Sequence, residues 1–596
     1  MIVIISYIIG ILWGIYVKNI FLFFVMNLFI IVLMSYMKIR RRYNSKIRLI
    51  IGKCCNNICV IFITFSVLGY ISLLYKENKF ECIYEEKNLE VTIVSNCIEE
   101  EYFNKYIARV EKYNINIYIL VPKKVKFQYG YVVKLNDELI KPQAQRNTYG
   151  FDYKMYLKSI NIAGSVNIKN YKIIGRKSNL INGLIFEIKE SIRKKIYTII
   201  QSENKYLLEA FLIGNKENIS DEINDIFRKS SLSHLIAISG THITIITTLI
   251  FKLFKIIKVG KRTSYYISII IIYIYMFIAG GMPSVVRSCI GIILVLVSKL
   301  IYRKSDIYTN ICISAIIILV TNPYNILNLG FVLSYGGIVG IVLYTNIRKN
   351  TSKENKIKAY IKEICIISFC VQIIILPIII NSFNNISFTF FISNLMVSPL
   401  LFLILNLGIA GIMLSYLYLP LSCLIGKVID ILLQLLLNIS KLCANLPFAN
   451  NICTRIDMPI IIIYYILVIY IVYLIKINRL HIIIHFIKKY ILKLVSVFLI
   501  LVIVINLYNY SGIKELKIYF IDVGQGDATL IKTSRNKVIL IDGGEAKEGK
   551  EVLLPYLLNR KIKVIDYIII SHFDSDHIGR IILFNGKYES KKYNNR

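Results

Sequence analysis

A succession of unbroken apolar runs constrains this chain more than any other feature. MIVIISYIIGILWGIYV (1–17), FLFFVMNLFIIVLMSYM (21–37) and NICVIFITFSVLGYISLLY (57–75) are each about as long as a helix needs to cross a ~30 Å hydrocarbon core. Further runs lie at 234–250, 265–280, 284–301, 307–321, 331–345, 363–380, 389–406, 422–440, 459–475 and 494–508. The 56% share of apolar residues exceeds the 45–50% of an ordinary soluble protein, and the excess is concentrated in these runs. A polytopic α-helical membrane protein is therefore expected, with roughly ten to thirteen spans if short runs are re-entrant or broken. The N-terminal run lacks a basic leader and an A-x-A site, so it reads as a first span rather than a removed signal.

Two soluble stretches interrupt the spans, Glu77–Lys189 and Gly512–Arg596. The basic segments 38–48, 252–262, 346–362 and 476–493 belong on the cytoplasmic side, because Lys and Arg are retained there. One span then carries each soluble stretch outward, so both are expected to be extracytoplasmic. The first stretch holds short strands: LEVTIVSNCI, YIARVEKYN, INIYILVP, GYVVKLN and, after a gap, AGSVNIKNYKII. Five such strands fit a small inserted β-barrel of the OB type, although alternation alone equally suits another small β domain. Cys82 and Cys97 flank its start, and an extracytoplasmic location would permit a disulfide between them. IFEIKESIRKKIYTII and NKYLLEAFLIG follow, with apolar residues at helical spacing. They suit either the membrane surface or packing against the bundle. The expected domains are 1–76, N-terminal spans; 77–189, the OB-like domain and amphipathic linker; 190–510, the polytopic core; and 511–596, the terminal domain.

Lys and Arg number 72 against 36 Asp and Glu, a net charge of +36. That balance suits a polyanion or an anionic lipid surface, but cytoplasmic loops and an AT-rich coding bias produce it as well. The 12 cysteines form no C-x-x-C pair or zinc-finger spacing.

The second soluble stretch carries a chemical signature. KIYFIDVGQGDATLI reads as strand, Gly-rich turn and strand; KVILIDGG is a third strand ending at Asp542. VIDYIIISHFDSDHIG is a buried strand running into His572, Asp574, Asp576 and His577. Imidazoles and carboxylates converging at a strand end suit a divalent metal such as zinc or manganese. A hydroxide on that metal would attack a phosphorus or carbonyl centre.

This segment resembles the H-x-H-x-D-H signature of the metallo-β-lactamase fold, with Asp574 at the middle His position. The resemblance implies that His572 and Asp574 serve one metal, that Asp576 and His577 serve a second, and that Asp542 orients the loop. The family draws further ligands from loops far downstream. Here the chain reaches Arg596 soon after His577, and the tail GKYESKKYNNR has no fold signal. A partial, truncated domain with an incomplete ligand set is expected, and with it little metal binding or hydrolysis.

The membrane region resembles the ComEC family of competence DNA-internalisation proteins. The resemblance is carried by FLIGNKENISDEINDIFRKSSLSHLIAISGTHITII (211–246), AGGMPSVVRS (279–288), NPYNILNLGFVLSYGGIVGI (322–341) and VQIIILPIIINSFNNISFTFFISNLMVSPL (371–400). RNTYGFDYKMYLKSINIAGSV (146–166), VGQGDATLI and SHFDSDHIG agree as well, in the family's domain order up to about Gly579. Thr241 stands where an apolar residue is usual. The family implies passage of single-stranded DNA across the cytoplasmic membrane during natural transformation. It also implies a DNA receptor and a cytoplasmic helicase as partners, and a terminal domain that hydrolyses the strand left outside.

The residues add physical detail. His234, Ser239, Gly240 and His242 fall in an apolar run, and i, i+4, i+8 spacing places both histidines on one helix face. Such a stripe lines a polar path or bonds neighbouring helices. Arg287 stands near a helix start, where it meets phosphate or snorkels to the interface. Pro283, Pro377 and Pro399 suggest broken helices. Lys123, Lys124, Lys126 and Lys134, with Tyr129 and Tyr131, would grip single-stranded DNA on the β domain, or simply be solvated. Two rival readings stay open: a membrane-anchored phosphodiesterase of the metallo-β-lactamase fold, and an inactive truncated copy.

Overall fold

Apolar runs fold as helices because hydrocarbon leaves backbone N–H and C=O groups no partner but each other. A computed structural model describes residues 1–23, 25–27, 48–86, 88–100, 102–177, 180–347, 356–476, 515–524, 526–545, 549–572 and 574. Among these, six helices are long and apolar enough to cross a membrane: Val60–Glu85, Pro283–Leu300, Lys362–Phe383, Phe390–Ser415, Leu419–Ala444 and Met458–Ile475. Ile2–Tyr16, Ile307–Thr321 and Leu329–Thr345 are shorter apolar helices. The expected spans at 21–37, for the most part, and at 494–508 lie outside the described residues, as do most of the basic segments 38–48 and 476–493.

The chain divides into two compact units. The first comprises residues 1–142, 153–335 and 396–443; the second 143–152, 336–395 and 444–596. In the first unit, helix Ile2–Tyr16 lies against the 38-residue helix Arg48–Glu85. Glycine sets that approach. A Cβ on Gly10 would stand 1.9 Å from the Ser66 carbonyl oxygen, and one on Gly69 2.2 Å from that of Tyr7. Small residues are what let apolar helices pack this closely.

The long helix leads into a seven-stranded sheet. Its strands are β1 (Leu89–Ile93), β2 (Ile98–Glu99), β3 (Phe103–Val110), β4 (Ile115–Pro122), β5 (Tyr131–Leu135), β6 (Ile162–Asn167) and β7 (Tyr171–Arg176). The order is β6-β4-β3-β1-β5-β7, with β2 on β3, and β4 runs parallel to β6. Burial alternates residue by residue along β3 and β4, so one face makes the core around Tyr106, Ile117 and Ile119. The expected fifth strand is in fact two. The stretch 162–176 pairs with β4 through its first half and with β5 through its second, and among the described residues the pairing does not close into a barrel. Cys82 and Cys97 are free thiols rather than a disulfide.

The two amphipathic segments part company. Helix Leu180–Ile199 leaves Leu180 84% exposed, with Ile181, Leu184 and Ile188 also uncovered. Helix Asn204–Ile213 is buried from Leu207 onward, in a core shared with Leu401, Leu433 and Leu436. The second segment is therefore an internal helix, not a surface one.

The prolines do not break helices as expected. Pro283 is the first residue of Pro283–Leu300, a position where its missing N–H costs nothing. Pro377 and Pro399 lie inside the continuous helices Lys356–Phe383 and Phe390–Ser415. A proline deprives the carbonyl four residues earlier of its donor. For Pro377 that carbonyl is Ile373, and the Tyr464 hydroxyl donates to it at 2.8 Å.

In the second unit a two-residue ladder joins β8 (Asn385–Ile386) to β9 (Asn451–Ile452). The terminal sheet holds β10 (Lys517–Phe520), β11 (Thr529–Lys532), β12 (Val538–Ile541) and β13 (Tyr567–Ile569) in sequential order. The last pair is parallel. Leu530, Leu540, Tyr556 and Leu557 form its core.

Candidate functional site

The apolar run at 234–250 is not one helix. Ser233–Ile236 forms a single turn, Ala237 is extended, and a new helix runs Gly240–Ile256 with Ser239 as its cap. The Ser239 backbone N–H donates to His242 Nδ1 at 3.2 Å, which makes that nitrogen an acceptor. Ser239 Oγ lies 2.9 Å from the same nitrogen and 2.6 Å from Thr241 Oγ1. The ring thus serves the helix start, as the third residue of a capping box does. His242 is 0% exposed, and its Nε2 has no hydrogen-bond partner among the described residues. His234 stands exposed on the preceding turn, its Nδ1 3.2 Å from the Ser231 carbonyl oxygen. The expected single-face stripe of two histidines is therefore absent, because Ser239-Gly240 is a helix start and interrupts the spacing.

Three of the separated blocks meet here. Helix Pro283–Leu300 brings Arg287 over Gly240: a Cβ at Gly240 would lie 3.1 Å from Arg287 Nη2 and 3.2 Å from Ser288 Oγ. Arg287 Nε donates to Ser334 Oγ at 2.6 Å and Nη2 to Ser288 Oγ at 2.7 Å. Among the described residues the guanidinium meets no carboxylate. Ser288 and Ser334 were missed by sequence reasoning. Both lie inside quoted blocks, VVRS and LSYGG, but only the fold shows that they face one arginine.

On the β sheet, Lys123, Lys124 and Lys126 are exposed in the turn after β4, and Lys134 is half-buried on β5. The tyrosines named with them are not free. Tyr129 stacks on Phe186 at 3.9 Å between centroids, and Tyr131 packs against the sheet core. Lys105 lies 4.2 Å from the Tyr118 ring centroid on the neighbouring strand, a pairing that strand alternation alone did not single out.

In the terminal domain β12 ends at Asp542, which is 4% exposed and takes a left-handed φ of 55°. Its carboxylate accepts from the Ser571 N–H at 2.8 Å and the Ser571 hydroxyl at 2.6 Å. Ser571 Oγ lies 2.8 Å from His572 Nδ1, and His572 Nε2 3.5 Å from Asp574 Oδ2. The expected orienting carboxylate thus sits against the residue preceding His572. The signal in sequence was the Ser at the strand end, which the ligand spacing overshadowed. Asp576 and His577 lie outside the described residues. No three His, Cys, Asp or Glu side chains converge among the described residues. His572 Nε2 and Asp574 Oδ2 fit one side of a divalent-metal site, short of the three protein ligands usual in a catalytic one. The Gly-rich turn after β10 is held from elsewhere in its unit: Asn147 Nδ2 donates to the Asp522 carbonyl at 2.7 Å, and the Asp522 N–H donates to Asn147 Oδ1 at 3.0 Å.

The family model described as competence protein matches residues 211–477, which contain the Ser239–Arg287 site, and the metallo-β-lactamase superfamily model matches 521–593. The chain thus carries a competence-protein domain like that of the ComEC family. It is a multi-pass membrane protein with a terminal domain of the metallo-β-lactamase superfamily. That terminal match extends past Gly579, where the resemblance was expected to stop. ComE operon protein 3 of Bacillus subtilis is 24% identical over 474 residues, 76% of this chain and 58% of the relative. Recombination protein 2 of Haemophilus influenzae is 23% identical over 501 residues, 73% of this chain and 58% of the relative. The matched part thus spans under two thirds of each ComEC-type relative. No solved structure matches the chain.

Proposed function

We propose that this protein is the channel through which one DNA strand enters the cell during natural transformation. The observation that carries the reading is Arg287, a cation among membrane helices whose side-chain partners are two neutral serine hydroxyls. A nucleic acid strand carries one charge per nucleotide and is excluded from hydrocarbon, so its path needs polar groups and unspent positive charge. Ser239, Gly240 and Arg287 supply such a group where two helices begin, and exposed His234 stands on the turn before it. His242 holds the turn in place rather than facing the strand.

The cytoplasmic membrane is the proposed location, with both soluble regions outside, as the basic segments suggest. In this reading, residues 77–189 hold a DNA-gripping domain of OB type and an amphipathic linker. Support comes from the run 162–176, whose two successive strands pair with β4 and β5 at opposite ends of the sheet, and from Lys123, Lys124, Lys126 and Lys134. Residues 1–76 and 190–510 form the membrane part, and 511–596 the terminal domain. A receptor for duplex DNA and a cytoplasmic helicase are the partners this assignment calls for. His572 and Asp574, steadied through Ser571 by Asp542, are the described groups that would hold a divalent metal, which would supply an activated water.

Uptake is tested with the full-length chain in proteoliposomes or in cells lacking their own channel, by following end-labelled single-stranded DNA to a protected compartment. Entry that depends on Arg287 supports the reading. Entry at the same rate with Arg287→Ala, at equal protein level, removes its basis.

A further inference from the structure

Lys158 is 1% exposed, yet it sits in the short helix Tyr153–Ser159, between β5 and β6 of the seven-stranded sheet. Its ammonium is fully engaged. Nζ lies 2.6 and 2.7 Å from the two carboxylate oxygens of Glu77. The Tyr324 hydroxyl donates to the same carboxylate. The rings of Phe80 and Tyr324 stand 5.4 and 5.2 Å from Nζ. Around this centre, Asn322 Nδ2 donates to the Lys158 and Ser159 carbonyls at 2.9 and 3.3 Å, and the Tyr84 hydroxyl to the Ala163 carbonyl at 2.7 Å.

The parts come from three places in the chain. Glu77, Phe80 and Tyr84 recur at helical spacing on Arg48–Glu85, the helix that runs into β1. Lys158 belongs to the helix that runs into β6. Asn322 and Tyr324 form the turn after helix Ile307–Thr321, so two of the quoted blocks, 146–166 and 322–341, meet here. Both the entry into the sheet and its return strand are thus tied to one turn of the membrane part. A hinge at this place would have to strip a buried cation of every partner at once, and low-dielectric surroundings make an orphaned charge very costly.

We infer that Lys158, Glu77 and Tyr324 are positioning residues that fix the seven-stranded sheet on the helices next to it, so that the sheet is a stationary part of the uptake path. The stationary sheet follows from geometry; its place in a path rests on the DNA-import reading above. A strand gripped by the sheet is then delivered at one fixed point, and movement of the strand comes from elsewhere.

Two measurements test this on the full-length chain in membranes. The first needs no DNA. Lys158→Ala should raise tryptic cleavage at Lys87 or Lys177 by roughly ten-fold, because cleavage follows the population of the undocked sheet, and Lys158→Arg should recover most of the protection. Unchanged cleavage in Lys158→Ala overturns the inference. The second keeps the three residues and places cysteines one turn away, Glu81→Cys with Lys154→Cys, in a background without native cysteines. They are joined by a cleavable thiol linker of roughly one helix diameter, about 10 Å. Import that persists after linking supports a stationary sheet. Import lost on linking and regained on cleaving the linker overturns it. A parent chain that imports nothing would sink the uptake reading and leave the lock to be judged on the protease result.

Discussion

Two cations in the same unit have opposite surroundings. Lys158 is surrounded by a carboxylate, a phenol and two aromatic rings, with nothing left over. Burial pulls its ammonium below the ordinary value, and Glu77 works against that by favouring the charged form. Arg287 has two serine hydroxyls and no carboxylate among the described residues. A cation removed from water needs an anion nearby. Lys158 has been given one by the fold; Arg287 has none among the described residues, and in the proposed reading the passing DNA strand supplies it. A saturated buried charge specifies a shape, and an unsaturated one is available to a ligand.

The largest effect that would sharpen the contrast is expected at Arg287. Removing it should lower DNA import by about 100-fold, the scale of losing one enclosed charge contact, while protein level stays unchanged. Arg287→Lys should keep part of the activity, because Lys preserves the charge but not the fork of donors. Loss of the protein itself in Arg287→Ala would break the contrast by making Arg287 a second structural cation.

At Lys158 the effect should appear in stability. Lys158→Ala should cost about 1–3 kcal/mol in detergent unfolding, less than a fully buried pair because Glu77 is 37% exposed. The double change Lys158→Met with Glu77→Leu should cost less than Lys158→Ala alone, since no charge is then orphaned. Equal losses would mean that packing, not charge, holds the joint.

Gly240→Ala probes the Arg287 side more gently. The new methyl would stand 3.1 Å from Nη2, so the guanidinium must shift by a few tenths of an ångström. Import should fall several-fold, with a stability change of about 1 kcal/mol or less, since Ala is otherwise the better helix former. A smaller effect still is expected from Lys123, Lys124 and Lys126 changed together to Gln. The salt dependence of single-stranded DNA binding by the full chain should flatten by up to about 2 in log–log slope, at ~0.7 per phosphate contact. An unchanged slope takes these three lysines out of the grip. Least visible in import should be Asp542→Ala, which loses both Ser571 contacts and is strained at φ 55°. Amide exchange at Ser571 should speed up, and Asp542→Asn, which tolerates that φ and keeps one acceptor, should show less of it. Equal exchange in both variants would remove Asp542 from the role of orienting the strand end.

The sequence carried what is local. Apolar length marked the helices, and the alternation along 103–122 marked β3 and β4. The Asp at the end of KVILID marked the residue that steadies the strand end before His572. Reading failed wherever a partner came from far away. Pro377 looks like a break until Tyr464 is seen capping the Ile373 carbonyl, 91 residues off. Lys158 looks like a surface lysine until Glu77, 81 residues away, is beside it. Tyr129 looks free until Phe186 covers it. The Ser239-Gly240 start is a different failure. Its local cues, a capping serine and a glycine, were present, but the period of the apolar run was given more weight than the punctuation within it.

The long helix Arg48–Glu85 has a mechanical consequence. At 1.5 Å per residue it measures about 57 Å, well beyond a ~30 Å core. It therefore acts as a shaft whose far end sets both the height and the rotational phase of the sheet. Each residue added to a shaft of this kind would turn its load through about 100° and raise it by about 1.5 Å. Helix length here is a gear setting, and the chain length between Glu77 and the first strand can drift in evolution only in steps that keep Glu77 in phase with Lys158.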